Sequence, residues 1–426
     1  MSPFQKENRL TQLQDTGNIM NILLINQPTN NRGDEAAHKS LVRALNDQFP
    51  NAQITVLFKN EPQSTVEQMR VANPQNTYIN IRFPEYGGGL AKKWGLRLGN
   101  PKLTMIHPLY YIFSKYIKKA DFVICAPGGI CMGLFQEWGH IYALALAQRY
   151  NKKIAYYSRS FGPFPVKTKW NRIFKRVSYN LLNTFDFISI RDAKTMHLAD
   201  QIGVAYVPSI DTAFLDTPRV QLPKSVKTLL GKNEYIVFVP NSLTWHAAFK
   251  HCSTDYLDRF YSGILKMLLD KYRNMNIVML PQLFNRNEDA DELYFRHLKS
   301  LLNNDRIIVV HEKYGSDIQQ TIISNAKLMI GARYHSVVFA INNQVPFVAL
   351  SYEHKISGLL DILGLQQYMF NIEQLATEEI NIEDAVAEIE RIIDRSESSV
   401  EAKQKAHEIA KNCMNSFVQK YSWIND

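Results

Sequence analysis

The sequence is poor in cysteine, and its few cysteines lie far apart. Cys125, Cys131, Cys252 and Cys413 form no CxxC pair among 426 residues. This spacing excludes a disulfide scaffold, gives no sign of a zinc site and indicates a reducing compartment. The sequence also lacks an HExxH motif and a cluster of His and Cys. We therefore expect no metal and no resident cofactor.

Long apolar stretches are missing as well. No window approaches the ~18 uninterrupted apolar residues of a membrane-spanning helix. Residues 1–20 are polar and lack the apolar core of a signal peptide. We predict a polar extension over 1–20 and a cytoplasmic protein, in contact at most with the cytoplasmic face of the inner membrane.

Short apolar runs alternate with helical patterns along most of the chain. NILLIN (21–26), a helical pattern at 35–47 and ITVLF (54–58) form a β-loop-α-β unit. Such units imply a parallel sheet with right-handed crossovers. A polar segment at 216–233 interrupts the alternation, which then resumes. We predict two α/β domains that face each other across a cleft.

The predicted boundaries follow from these patterns. They are a polar extension 1–20, a first α/β domain 21–215, a linker 216–233, a second α/β domain 234–370 and a helical tail 371–426. In open parallel sheets, ligands bind beyond the carboxyl ends of the strands. The loops that follow predicted strands are therefore the candidate positions for functional residues.

Three such loops in the first half form one predicted cleft wall. In NNRGDE (30–35), Gly33 permits a tight turn, and free backbone N–H groups at the helix start can hold an anion or a sugar hydroxyl. Asp34 and Glu35 follow in the first helical turn, where a carboxylate can also serve only as a cap. Paired glycines at APGGICMG (126–133) and the SRSFGPFP loop (158–165) follow two further strands.

Cationic side chains also stand at predicted strand ends. Arg191 of ISIRD lies at the end of an apolar strand and can hold a carboxylate or phosphate, although a local pair with Asp192 is an alternative. Arg333 and His335 of GARYH lie two residues apart and would point to one side of an extended segment. Lys355 of SYEHK follows the next strand. Together these groups favour a small ligand that carries phosphate and carboxylate.

The order of these motifs resembles the polysaccharide pyruvyl transferase family. The motifs that carry the resemblance are NNRGDEA (30–36), PGG (127–129), SFGPF (160–164), ISIRD (188–192), the aspartate of PSIDTAF (Asp211), LPQ (280–282) and GARYH…PFVALSYEHK (331–355). The resemblance implies two facing Rossmann-like domains, as in GT-B glycosyltransferases, followed here by a C-terminal helix. The first domain would bind the acceptor and the second the donor.

The resemblance also implies a reaction. Pyruvate would move from phosphoenolpyruvate onto two hydroxyls of a sugar in a bacterial-type surface polysaccharide or its lipid-linked precursor, forming a cyclic ketal and releasing phosphate. By motif, Arg191, Arg333 and Lys355 would bind the donor, and His335 would be catalytic. Asn30, Asn31, Gly33, Gly128 and Gly129 are the expected acceptor-binding residues.

His335 would protonate the methylene carbon of phosphoenolpyruvate, and Asp34 or Glu35 would take the hydroxyl protons. One competing interpretation is a GT-B glycosyltransferase that uses a nucleotide sugar, because the architecture is nearly the same. Another is a non-catalytic lectin-like or scaffold subunit of a polysaccharide assembly complex.

The positive charge is concentrated in one region. Residues 82–119 contain eight Lys and Arg and one acid, against a net charge of +9 for the chain, and residues 167–176 add five more cations. Aromatic residues are interleaved with them. This composition is typical of contact with an anionic membrane surface, although solvated helix faces are an alternative. We expect no nucleic-acid partner, because no recognised binding motif accompanies the charge.

Overall fold

A computed structural model gives the architecture of the chain. It describes residues 19–27, 31–82, 89–104, 108–243, 246–284, 290–352 and 354–421. No helix within these ranges is long and apolar enough to cross a membrane.

The first half of the chain forms a parallel sheet of seven strands in the order β3-β2-β1-β4-β6-β8-β9. Its strands are β1 (Asn21–Ile25), β2 (Gln53–Lys59), β3 (Thr77–Ile81), β4 (Phe122–Cys125), β6 (Lys153–Tyr156), β8 (Phe187–Ile190) and β9 (Val207–Pro208). A separate two-stranded parallel sheet consists of β5 (Gly128–Gly133) and β7 (Arg159–Gly162). The connecting helices are α1 (Arg32–Gln48), α2 (Gln63–Ala72), α3 (Gly89–Arg97), α4 (Pro108–Lys119), α5 (Trp138–Arg149), α6 (Lys169–Leu182) and α7 (Ala193–Ile202).

The second half forms a parallel sheet of six strands in the order β12-β11-β10-β13-β14-β15. Its strands are β10 (Tyr235–Val239), β11 (Asn276–Met279), β12 (Ile307–Val309), β13 (Leu328–Gly331), β14 (Phe347–Ser351) and β15 (Met369–Asn371). The remaining helices are α8 (Lys224–Leu230), α9 (Thr254–Lys271), α10 (Asp291–Leu302), α11 (Ser316–Ser324), α12 (Tyr334–Asn342), α13 (His354–Leu363), α14 (Ile382–Arg395) and α15 (Val400–Tyr421).

Both sheets have the strand order of a Rossmann fold. In each sheet, the second and third strands lie in order on one side of the first strand, and the later strands lie in order on its other side. The central strand β10, YIVFV, is buried at every position, as expected for a sheet covered by helices on both faces. Two Rossmann-like domains were predicted, and the two sheets confirm them.

The predicted linker contains a helix of the second half. Helix α8 lies within residues 216–233, and its Val226 and Leu230 belong to the hydrophobic core around the second sheet. The polar composition of this segment reflects its exposed helix face, while its apolar side chains pack inward.

The last helix, α15, returns to the first half of the chain. Phe417 packs edge-on against Phe49, Phe122 and Phe187, and Tyr421 stacks on Phe122 with ring centroids 5.0 Å apart. These side chains belong to the hydrophobic core on one face of the first sheet. The end of α15 therefore completes the core of the first domain, whereas its earlier residues Ala402 and Ala406 belong to the core around the second sheet.

Charged groups at the start of α1 join the two halves. The carboxylate of Glu35 lies 2.7 Å from Lys39 Nζ and 2.6 Å from Arg32 Nη1. It also accepts a hydrogen bond of 3.1 Å from the backbone N–H of Ser316, at the start of α11 in the second half. The backbone N–H of Arg32 donates to the carbonyl of Gln282 at 2.9 Å. These contacts fix the amino end of α1 against the second sheet.

Candidate active site

A buried carboxylate, Asp211, lies where the two halves meet. It follows β9, and its Oδ1 accepts a hydrogen bond from the Ala213 N–H at 3.0 Å. Its Oδ2 accepts a hydrogen bond from Arg191 Nη1 and lies 3.3 Å from His335 Nε2. Arg191 comes from the end of β8, whereas His335 comes from α12 in the second half. One carboxylate therefore holds a guanidinium and an imidazole from opposite sides of the cleft.

The environment keeps Asp211 ionised. Burial alone would raise the pKa of this carboxyl, but the charges of Arg191 and His335 outweigh burial and lower the pKa to about 2. An ionised carboxylate beside an imidazole orients the ring and stabilises its protonated form. The pair can therefore hold a proton in place for transfer.

Arg191 has contacts beyond Asp211. Its Nη2 donates to the carbonyl of Gly128 at 3.1 Å, and its guanidinium carbon lies 5.6 Å from the centre of the Tyr334 ring. Burial lowers its pKa, but Asp211, Tyr334 and Asp34 together raise it above the usual value. Asp34 is half-buried and close enough to contribute to this field. The alternative pairing with Asp192 is not formed, because Asp192 caps α7 and accepts from Ser160 at 2.5 Å.

Gly33 packs directly on the imidazole of His335. A Cβ atom on Gly33 would lie 1.8 Å from both Cγ and Nδ1 of the ring. Asn31 caps the helix that carries Gly33, and its side-chain oxygen accepts from the Gly33 N–H at 2.9 Å. The start of α1 therefore fits against the catalytic candidate of the other half only because residue 33 has no side chain.

The sequence predicts that Arg333 and His335 lie on one extended segment, and this prediction is wrong. Arg333 has extended backbone angles at the cap of α12, but His335 already lies in the first helical turn. The two side chains therefore reach different partners: His335 contacts Asp211, and Arg333 pairs with Asp291. Asp291 in turn accepts hydrogen bonds of 2.9 Å from the N–H groups of Gln282 and Leu283.

Burial and the neighbouring Asp291 act on Arg333 in opposite directions, and its pKa is raised overall. Within the part of the chain that the structure describes, its Nε is buried without a hydrogen-bond partner. A buried guanidinium N–H without a partner is costly, so a bound anion would stabilise Arg333.

Other predicted residues occupy different surroundings. Lys355 is half-buried in the first turn of α13, directly beyond β14 at the carboxyl edge of the second sheet. Glu35 lies within the ion cluster that joins the halves. Burial acts to raise its pKa, but the charges of Lys39 and Arg32 outweigh burial, and the pKa is lowered overall. Gly128 takes a positive φ of 157° beside Arg159, and the space around Gly129 is open. Asn30 lies outside the described residues.

Sequence reasoning gave Asp211, Tyr334 and Asp291 no functional role. Asp211 belongs to the motif PSIDTAF, but nothing in that motif indicates which distant cationic side chains contact its carboxylate. Its partners lie 20 and 124 positions away along the chain. Within the described ranges, no group of three or more His, Cys, Asp and Glu could hold a metal ion.

The sequence pattern of one protein family matches most of the chain. The family is described as polysaccharide pyruvyl transferase, and the match covers residues 31–354. Among characterised proteins, the chain is 22% identical over 403 residues to the amylovoran biosynthesis protein AmsJ of Erwinia amylovora, with 89% of this chain and 93% of that protein covered.

Solved structures share the architecture at low sequence identity. The chain matches the MnaA–UDP co-structure from S. aureus with a TM-score of 0.59 and 12% identity, covering 96% of this chain and 98% of that one. It matches UGT71G1 of Medicago truncatula, complexed with UDP-glucose, with a TM-score of 0.57 and 10% identity over 97% and 100% of the two chains. These likenesses confirm the predicted GT-B-like arrangement of two Rossmann-like domains.

Proposed function

The chain belongs to the polysaccharide pyruvyl transferase family and is an enzyme of that type, and we propose that its donor is phosphoenolpyruvate. In this proposal it transfers pyruvate onto two hydroxyls of a glycan or of a lipid-linked oligosaccharide. A cyclic ketal forms and phosphate is released. The observation that carries the proposal is the meeting of Arg191 and His335 on the buried carboxylate of Asp211.

Cations at the cleft suit a donor that carries both phosphate and carboxylate. Guanidinium groups bind such anions through two parallel hydrogen bonds, and fixed charges stabilise a leaving phosphate without reorganisation. Arg191 and Arg333 are both buried and positively charged, and Lys355 lies at the same sheet edge as Arg333. We assign donor binding to these three residues.

His335 donates a proton to the methylene carbon of phosphoenolpyruvate, and this carbon becomes a methyl group. One sugar hydroxyl attacks the cationic C2, the C2–O bond to phosphate breaks, and a second hydroxyl closes the ring. One of the two hydroxyl protons restores His335, and the other leaves with phosphate. Asp211 is a positioning residue in this scheme, since it holds the imidazole and stabilises its charge.

Asp34 is the better of the two candidate bases. It is half-buried near Arg191, on the turn that faces the cleft. The carboxylate of Glu35 is already bound to Lys39, Arg32 and the Ser316 N–H. We therefore assign proton removal to Asp34 and a structural role to Glu35.

The donor can be tested directly. The full chain is incubated with phosphoenolpyruvate and candidate glycans, phosphate release is measured, and the glycan is examined by mass spectrometry for the added pyruvyl group. Thermal stabilisation by phosphoenolpyruvate is compared with that by UDP and UDP-glucose. Stabilisation by the nucleotides alone would favour a glycosyltransferase, and the absence of any turnover would favour a lectin-like or scaffold subunit.

The region predicted to contact membrane combines exposed apolar side chains with cations. We name residues 82–119 and 167–176 the basic-aromatic surface; residues 83–88 and 105–107 of it lie outside the description. Lys93 Nζ lies 5.4 Å from the Trp138 ring and 5.7 Å from the Trp170 ring, and the Arg97 guanidinium lies 4.5 Å from Trp94. Large apolar side chains on and beside this surface are exposed, namely Leu98, Leu103, Tyr111, Leu134 and Phe135.

We propose that the basic-aromatic surface binds an anionic membrane, where a lipid-linked acceptor would be found. In vesicle sedimentation at low salt, the chain should bind phosphatidylglycerol vesicles and not phosphatidylcholine vesicles. The double variant Leu98→Ser/Leu103→Ser should bind more weakly. Equal binding to both vesicle types, or no binding to either, contradicts the proposal.

A further inference from the structure

Away from the candidate active site, a cavity opens at the carboxyl edge of the first sheet, beside the end of β2. Its volume is about 430 Å³. Its charged side chains are Lys59, Lys92 and Glu137, and its aromatic side chains include Tyr110, Trp138 and Tyr142. None of these residues takes part in the chemistry assigned to Asp211 and His335, so the cavity requires its own explanation.

Two ammonium groups share this cavity. A Cβ atom on Gly139 would lie 3.7 Å from Lys92 Nζ and 3.9 Å from Lys59 Nζ. Lys59 also donates to the side-chain oxygen of Asn26 at 3.1 Å. Burial lowers the pKa of both lysines, and the charge of Lys59 lowers that of Lys92 further, while the exposed carboxylate of Glu137 acts to raise both pKa values. An anion between the two ammonium groups would add to the effect of Glu137 and offset the cost of burying the two charges.

Aromatic rings form another part of the wall. The rings of Tyr110 and Tyr142 have centroids 4.9 Å apart, and Lys92 Nζ lies 5.5 Å from the Tyr110 ring. Trp138 begins α5 next to Gly139. Binding sites for small organic molecules combine such apolar rings with a few convergent charged groups. A sugar ring that carries one anionic group matches both features.

Contacts link this cavity to the candidate active site. Lys59 contacts Asn26, whose carbonyl accepts from Arg159 at 3.0 Å. Arg159 lies against Gly128, whose carbonyl accepts from Arg191. The cavity and Arg191 are four strand spacings apart along one sheet edge, which at about 4.8 Å per strand is about 20 Å. A ligand in the cavity would therefore not touch the donor site but could belong to the same extended acceptor.

We propose that the cavity is a subsite for an anionic sugar of the acceptor, either a uronic acid or a sugar phosphate. The inference rests on the proposed function and deepens it, because it makes the acceptor a charged oligosaccharide rather than a single neutral sugar. The anionic unit lies at a distance from the unit whose hydroxyls receive pyruvate.

Calorimetric titration of the full chain tests this assignment. The probes are glucuronic acid and glucose 1-phosphate, with glucose as the neutral control. At least one anionic probe should bind at least tenfold more tightly than glucose, and the tighter probe identifies the carboxylate or the phosphate as the natural group. Equal affinity for all three sugars would overturn the assignment.

Gly139 offers a matched pair of variants. Its backbone is helical, and a Cβ there would make only ordinary contacts with the two lysines. Gly139→Asp places a carboxylate between the ammonium groups and should weaken binding of the anionic probe at least tenfold. Gly139→Asn has the same shape without the charge and should bind within threefold of the original chain. Unchanged binding in Gly139→Asp would show that the anion binds elsewhere.

Thermal stabilisation by phosphoenolpyruvate, measured on the same proteins, separates this inference from the proposed function. Stabilisation by phosphoenolpyruvate without binding of any anionic sugar contradicts the cavity assignment alone. Binding of an anionic sugar by a chain that phosphoenolpyruvate does not stabilise supports the assignment of the cavity and contradicts the proposed donor.

Discussion

Gly33 and His335, which are 302 positions apart in the numbering, touch so closely that no side chain fits between them. The contact joins the start of α1 in the first domain to α12 in the second. It means that the position of the imidazole depends on the fit between the two domains, and not only on its own helix.

Replacing Gly33 with alanine should therefore displace His335. The added Cβ would lie 1.8 Å from the imidazole, which forces the ring or the helix to move. Because a small misplacement of a catalytic group costs about 10²-fold in rate, phosphate release should fall by about that factor. Gly358→Ala is the control, since a Cβ at that position has nothing within 4 Å. Equal activity of the two variants would show that the contact is not needed.

His335→Gln should remove the proton donor while leaving a polar side chain of similar length beside Asp211. We expect phosphate release from phosphoenolpyruvate to fall by about 10²–10⁴-fold, the usual contribution of a general acid. Stabilisation by phosphoenolpyruvate should persist, because the arginines remain. His197→Gln, at an exposed position on α7, is the control. Turnover of His335→Gln near that of the control would reject the assignment.

Asp211→Asn should reduce turnover more than it weakens donor binding. The variant loses the carboxylate that orients the imidazole of His335, whereas Arg333 and Lys355 remain to bind the donor. The value of kcat should therefore fall while the KM for phosphoenolpyruvate changes little. Steady-state rates over a range of phosphoenolpyruvate concentrations measure both constants, and an unchanged kcat would contradict the positioning role of Asp211.

Glu35→Gln should destabilise the fold rather than abolish the chemistry. It leaves the buried cations of Arg32 and Lys39 short of a partner, and breaking a buried ion pair in this way costs about 3–5 kcal/mol. Glu67→Gln removes an exposed pair with Arg70 and should cost about 0.5 kcal/mol or less. Urea denaturation measures both free energies of unfolding. A similar small loss in each variant would contradict the role of Glu35 at the domain boundary.

His38 should make the fold sensitive to mild acid. It is buried beside Phe58, neither ring nitrogen has a hydrogen-bond partner within the described structure, and burial lowers its pKa to about 3. The unfolded chain takes up a proton near pH 6.5 and the folded chain does not, so stability is lost as the pH falls below about 6.5.

Replacing His38 with leucine should remove this contribution, which amounts to about 2 kcal/mol between pH 6.5 and pH 5. The free energy of unfolding of His38→Leu should therefore depend less on pH over that interval. His251→Leu, at an exposed position, should retain the original slope. Parallel slopes for all three proteins would show that His38 is not the group responsible.

The architecture could be predicted because its signals are local. Apolar strands and helical patterns alternate along the chain, and the polar segment at 216–233 interrupts the alternation. The convergence on Asp211 could not be predicted, because Arg191 and His335 reach it only through the packing of two sheets. The helical start after Arg333 was missed for a related reason: a short GARYH segment does not reveal where the strand ends and the helix begins.

The position of α15 bears on how the chain is made. Helix α15 leaves the ribosome after both sheets, yet it supplies Phe417 and Tyr421 to the core around the first of them. During synthesis, one apolar face of the first sheet stays exposed until the second domain and α15 have been made. Nascent chains stalled before residue 400 should therefore expose the first sheet to chaperones and proteases, even though every one of its strands is already present.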